Sequence, residues 1–315
     1  MAIGTLVRGG RDCNDAACRS GAAVLVMLAV ALCCSPPTAA QSAGEPPVPQ
    51  GTDPGGVAVA LIDTGVNYTL PHIAPRLARG PQGDILGFDF QDGDRRPFDL
   101  APGRRGRHHG TRVATILLAE APKARLVPYR FKAGDFDAFA RIVAHIAAGP
   151  ARIVALPLGG YRQADWEPLR QAMAAHPELL FVVSAGNDGR NIDARPVYPA
   201  AFGLENALVV TSTDAFGRLA RESNWGPKTV DISTPGERLA TIDHAGTRLE
   251  ASGSSFAVPR IAALAARLSA ANPEWSADRL KRAILAAAVP SPGAYEPRTR
   301  SGWIANPALV SPDPP

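Results

Sequence analysis

The sequence predicts an α/β protein whose doubly wound, mostly parallel sheet is flanked by helices. Three observations lead there. Short apolar runs such as "VAVALID" and "ALVVTS" lack polar alternation, so both faces of the strand are buried, as in parallel sheets. Longer stretches of helical character separate these runs. The links are short, which gives a repeated order of strand, helix, strand. In such a sheet ligands sit beyond the carboxyl ends of the strands, so the polar residues that follow each strand matter most.

The first expected strand is "VAVALID" (57–63), an apolar run closed by an acid. The helix "GTRVATILLAEA" (110–121) follows, then the strand "RLVPYRF" (125–131) and the helix "DAFARIVAHIAAG" (137–149). "RIVALPL" (152–158) is the third strand, with "ADWEPLRQAMAAHP" (164–177) as its helix. "LLFVVSAG" (179–186) and "ALVVTS" (207–212) complete the strands. Two helices close the chain, "SSFAVPRIAALAARLSAANP" (254–273) and "SADRLKRAILAAA" (276–288). No internal repeat is present.

The 315 residues can bury a sizeable core, and 46% hydrophobic with 20% charged residues is ordinary for a globular protein. A formal charge of +4 is mild, and the densest basic run, "GRRGRHH" (103–109), is too sparse for a nucleic-acid footprint. No nucleic-acid partner is expected.

All four cysteines, Cys13, Cys18, Cys33 and Cys34, lie in the first 34 residues, so the folded body has no cysteine for disulfides or metals. Arg8, Arg11 and Arg19 precede the apolar run 21–34, and small residues follow it. We expect residues 1–40 to be an export signal cleaved after Ala40, where Thr38 and Ala40 satisfy the small-x-small rule. A run of 14 residues is short for a spanning helix, which needs about 20. The alternatives are an uncleaved anchor or lipidation of Cys33 or Cys34. Cleavage implies a secreted or periplasmic protein with no stable membrane insertion. Residues 41–56, rich in Pro and Gly, read as a linker, 57–310 as a single domain and 311–315 as a tail.

Four polar residues stand at strand or helix ends. Asp63 closes the first strand, and alone it reads as a turn residue before Thr-Gly. His109 opens a helix, with His108 as a rival for any role given to it. Asn187 follows the fourth strand in "SAGNDG", a turn signal, yet an amide there is also a donor to an oxyanion. Ser255 starts a helix, where a serine can cap, or can act as a nucleophile beside unpaired N–H groups and positive partial charge. Pro259 is expected in the first turn, where it forfeits only an unpartnered N–H. Together the four supply what acyl transfer needs: hydroxyl, imidazole, carboxylate and oxyanion donors.

The motifs "ALIDTGV", "HGTRVA", "SAGNDG" and "GSSFAVP" occur in the order Asp, His, Asn, Ser, and in this the sequence resembles the subtilisin-like serine peptidases. Lesser segments extend the resemblance from about residue 57 to 310: "LGG", "VYPAAF", "SNWGPKTVDISTPG" and "SGWIANPALV". The resemblance implies an exported serine endopeptidase, monomeric, acting on extended polypeptides, with no cofactor required for its chemistry. It gives Asp63 the orienting role, His109 the base, Ser255 the nucleophile, and Asn187 with the Ser255 N–H the oxyanion. His108 is set aside, because the motif has His directly before Gly-Thr. Leu158, Gly159 and Gly160, with Ala185 and Gly186, would flank the specificity pocket. Ser254 stands in the motif's Thr place.

Departures limit the carry-over. Pro157 replaces a common serine and removes an N–H at the groove edge. Only "KAGD" (132–135) stands where the family has a longer Gly-rich groove wall. Phe256 replaces a common methionine. The loop "FDFQDGDRRPFD" (88–99) resembles a family calcium site through Asp89, Asp92 and Asp94; oxygen ligands suit calcium, while Arg95 and Arg96 oppose it. The alternative is a polar surface loop. Two other functions remain open: a non-catalytic peptide-binding protein on the same fold, or an esterase or ligase using the same residues.

Overall fold

A computed structural model describes residues 44–100, 108–292 and 297–312. The expected signal, with all four cysteines, lies outside the described residues, as do 103–107 of the basic run.

Seven strands form one sheet: β1 (Ala58–Asp63), β2 (Phe88–Asp89), β3 (Arg125–Arg130), β4 (Ile153–Leu156), β5 (Leu180–Ser184), β6 (Ala207–Thr213) and β7 (Ile232–Pro235). Their order is β2-β3-β1-β4-β5-β6-β7, and every pairing is parallel. Among the described residues the α-helices are α1 (His109–Glu120), α2 (Ala138–Ala147), α3 (Gln163–Ala175), α4 (Ser254–Ala271) and α5 (Ala277–Ala286).

The unbroken apolar strands are explained by two core layers. Successive residues of β1 go to opposite faces: Val59 and Leu61 pack with α1, α4 and α5, while Ala58, Ala60 and Ile62 pack with α2 and α3. Val113, Leu117, Ile261, Leu264 and Leu280 fill the first layer. Phe139, Ile142, Trp166 and Leu169 fill the second. The predicted doubly wound α/β fold is therefore the observed one.

Three features were not predicted. β2 is too short to carry a pattern. β7 reads "ISTP", and its hydroxyls hide the apolar signal; Thr234 Oγ1 satisfies itself on the Ile304 carbonyl at 2.9 Å. The hairpin of β8 (Leu239–Ile242) and β9 (Arg248–Ala251) lies outside the main sheet, against α1, where Thr241 Oγ1 donates to the Arg112 carbonyl at 2.8 Å.

Residues 44–56 contain no helix or strand, yet they lie along the body. The Pro46 carbonyl accepts from Tyr68 Oη at 2.7 Å and the Pro49 carbonyl from Arg79 Nη2 at 2.8 Å. Asp53 pairs with Arg125 at 2.6 Å. Backbone acceptors make much of this contact, so it leaves no periodicity in the sequence.

The chain leaves β1 toward β2, crosses back after β3, and then runs from β4 to β7. The direction of winding thus reverses between β1 and β4. Asp63 ends β1, and Pro157 follows β4, which places both at the switch point where such sheets bind ligands.

Candidate active site

Asp63 is buried, and its carboxylate faces the ring of His109, the first residue of α1. His109 Nδ1 lies 3.0 Å from Asp63 Oδ1 and 2.8 Å from Oδ2. An ionised carboxylate only accepts, so Nδ1 carries the proton and Nε2 is left as the acceptor. Ser255 Oγ stands 3.0 Å from Nε2. Carboxylate, imidazole and hydroxyl therefore form one continuous hydrogen-bonded line, an arrangement that can draw a proton from the hydroxyl as it attacks.

The local backbone explains how α1 reaches Asp63. A Cβ on Gly110 would lie 2.1 Å from the Gly65 carbonyl and 3.0 Å from Asp63 Cβ, so only glycine lets the helix approach. Asp99 then ties the helix start to β1. Its carboxylate accepts from Thr64 Oγ1 at 2.8 Å, from Thr111 N at 3.0 Å and from Thr111 Oγ1 at 2.5 Å. Thr64 Oγ1 in turn accepts from Gly110 N at 3.0 Å. Burial pushes the Asp99 carboxyl up, against these hydrogen bonds. The sequence reading missed Asp99, ten residues before His109, because nothing local marks it as a partner of the helix start.

His108 adopts a left-handed backbone, φ 55°, and no hydrogen bond joins its ring to Ser255 among the described residues. That ring stacks on His244 at 3.8 Å, and its Nδ1 lies 2.8 Å from the Asp99 carbonyl. His109 has no such rival at the hydroxyl. Burial disfavours the His109 cation, but the charge and hydrogen bond of Asp63 outweigh it and hold the imidazole above its ordinary value.

Ser255 is the second residue of α4. Gly253, at φ 131°, precedes the helix, and a Cβ there would press on the Asn187 amide at 3.2 Å. The Asn187 Oδ1 accepts from Ser254 N at 2.8 Å and lies 2.9 Å from Ser254 Oγ. Asn187 and Ser255 line the same cleft, and with the amide oxygen committed to Ser254 the nitrogen is left as the donor end. Ser254 is fully buried and also meets Ser184 Oγ at 2.7 Å.

Pro259 departs from expectation. It is the sixth residue of α4, not in the first turn. The Ser255 carbonyl consequently lacks its usual partner four residues on.

These groups open on a cleft of about 590 Å³. Leu158, Gly159 and Gly186 line it, as do Pro157, Val197, Tyr161 and Phe256. Gly160 and Ala185 do not. Gly160 pairs its backbone with Tyr198, both bonds at 2.8 Å, and Ala185 is buried with its N–H on the Val210 carbonyl. Asn224, also missed from the sequence, pins the loop after β5: its amide accepts from Asp188 N and Arg190 N and donates to the Ala185 carbonyl. Phe256 lies against His109, ring centres 5.3 Å apart. β3 passes to α2 through a tight turn closed by Asp135 N on the Lys132 carbonyl at 3.0 Å, and the short "KAGD" segment builds no strand.

The expected calcium ligands separate. Asp94 pairs with Arg96 at 2.7 Å. Asp89 and Asp92 instead converge with Glu45, their oxygens within 4.8 Å of one another. Arg130 Nη1 lies among them, 2.6 Å from Asp89, 2.7 Å from Asp92 and 3.1 Å from Glu45. A cation held by this set would coincide with that nitrogen, so the residues present do not fit calcium.

Comparison with known proteins identifies the family. A family model described as the subtilase family matches residues 55–303. A thermophilic serine proteinase of Bacillus sp. (strain AK1) is 31% identical over 68% of this chain and 52% of its own length. Thermitase of Thermoactinomyces vulgaris is 30% identical over 73% of this chain and 80% of its own length. The chain thus spans about half of the first relative and four fifths of the second. Among solved structures, a cold-adapted subtilisin-like serine proteinase matches with a TM-score of 0.64 and 22% identity, over 80% of this chain and 89% of that one, which is a likeness of fold. On the extent of the family match and the identity to thermitase, the chain belongs to the subtilase family.

Proposed function

We propose that the protein is an exported serine endopeptidase that hydrolyses peptide bonds through Asp63, His109 and Ser255, with Asn187 in the oxyanion hole. The observation that carries this reading is the single hydrogen-bonded line from Asp63 through His109 to Ser255, opening on the cleft.

His109 Nε2 takes the Ser255 proton as Oγ attacks the substrate carbonyl. The imidazolium formed is stabilised by Asp63, and it returns the proton to the leaving amine. The Asn187 amide nitrogen and the Ser255 backbone N–H stabilise the oxyanion, helped by the positive end of α4. Water then cleaves the acyl-enzyme by the same route. No step calls for a cofactor, in keeping with subtilase chemistry.

The substrate is an extended polypeptide whose backbone lies along Leu158 and Gly159 as an added strand. Export is proposed from residues 1–40, and the described residues contain no helix long and apolar enough to cross a membrane. N-terminal sequencing of the exported protein tests cleavage after Ala40.

The decisive experiment uses purified full-length protein, casein and a fluorophosphonate. Wild type should cleave casein and carry the label on Ser255, and Ser255→Ala should do neither. A wild type that binds peptide but takes no label would be a binding protein. Turnover of esters without amides would make it an esterase.

A further inference from the structure

Arg130 is the last residue of β3, and its side chain is only 4% exposed. A permanently charged group buried to this extent requires compensation. Three carboxylates supply it: Asp89 from β2, Asp92 from the loop beyond, and Glu45 from the segment before β1. Glu45 and Asp89 are themselves fully enclosed. Their oxygens surround one guanidinium nitrogen at 2.6, 2.7 and 3.1 Å. Calcium takes carboxylate oxygens at about 2.3–2.6 Å, so the nitrogen sits at the centre that a metal would need. The two cannot share it.

We propose that Arg130 is the built-in cation of this cluster: it does the work of a structural calcium, makes the fold indifferent to calcium here, and masks a cation site that its removal would expose. The ion pairs join parts of the chain that are far apart in sequence. Residue 45 lies before the sheet, residues 89 and 92 belong to its edge, and residue 130 stands in the row shared by β2, β3 and β1. A metal would join the same parts but could be lost to a chelator. The guanidinium is covalently part of β3 and stays charged at any pH at which the protein folds.

Thermal melting of the full chain tests the idea, with calcium and terbium as probes. Wild type should melt at the same temperature in excess EGTA and in millimolar calcium, and should give no saturable terbium luminescence. Arg130→Ala removes the one cation that three facing carboxylates share. In EGTA it should melt roughly 10 °C lower than wild type, as expected for breaking a buried ion pair. Calcium should restore most of that loss, and terbium should bind. Arg130→Lys keeps a cation and should stay indifferent to calcium, which preserves the test if the alanine variant does not fold. A calcium-dependent rise in wild-type melting temperature that Asp92→Asn abolishes would overturn the proposal. So would a folded Arg130→Ala that responds to neither ion.

Discussion

Asp63, Arg130 and Asp89 occupy one row across three adjacent strands, so two buried acids flank a single residue of β3. Asp63 turns to an imidazole, and Asp89 turns to the guanidinium of Arg130. The imidazole can gain and lose a proton near neutral pH, whereas the guanidinium cannot. One pair is therefore suited to moving a proton, and the other only to holding chain segments together. The same row of the sheet thus carries a reactive carboxylate and a structural one, and the partner alone separates them.

The comparison breaks most visibly at the reactive pair. Asp63→Asn removes the charge that fixes the His109 tautomer, and kcat should fall on the order of 10⁴-fold with little change in KM. A loss under about tenfold would show that His109 is oriented by another group. Asn187→Ala should cost on the order of 10²–10³-fold in kcat, the magnitude established for one such donor in a subtilisin. Ser254→Val removes the hydroxyl bond to the Asn187 oxygen but keeps the backbone one, so it should cost less than Asn187→Ala. Equal or greater loss would mean that Ser254 contributes directly.

A smaller effect sharpens the contrast in pH. Activity needs neutral His109, and Asp63 raises its pKa above the ordinary 6.5, so the acid limb of kcat/KM should lie above that value. Stability has the opposite sign. A histidine with a raised folded pKa contributes stability in full below the unfolded value and loses it as pH rises through the folded value. Comparing Ser255→Ala with Ser255→Ala/His109→Ala by thermal melting should expose this gain on acidification. The Arg130 cluster should add no slope in that window from its guanidinium. A histidine-dependent gain on raising the pH would contradict the assignment.

Much of this was legible in the sequence, for local reasons. The strands of the core are apolar on both faces, so their pattern survives without knowledge of the fold. Asp63, His109, Asn187 and Ser255 stand in motifs whose neighbours, such as Gly110 and Gly253, are demanded by close approach. Asp99, Asn224 and Glu45 were not legible. Each acts on residues distant in sequence, through hydroxyls, backbone groups or a guanidinium, and none has a local signature. The calcium expectation failed in the same way: spacing within 88–99 suggested ligands, but the deciding residue lies on β3. Arg130 is visible within "RLVPYRF", but nothing in that run marks its three acidic partners.

The proline within α4 has a consequence for how the nucleophile is held. Because Pro259 has no N–H to give to the Ser255 carbonyl, the opening turn is coupled to the remaining helix by one rung fewer. Ser254 is instead bonded to the loop that follows β5. The serine therefore takes its coordinates from the end of the sheet, as a cantilever takes them from its wall. Repacking of the distal half of α4, around Leu264 and Leu268, would tax stability while the attacking oxygen kept its alignment.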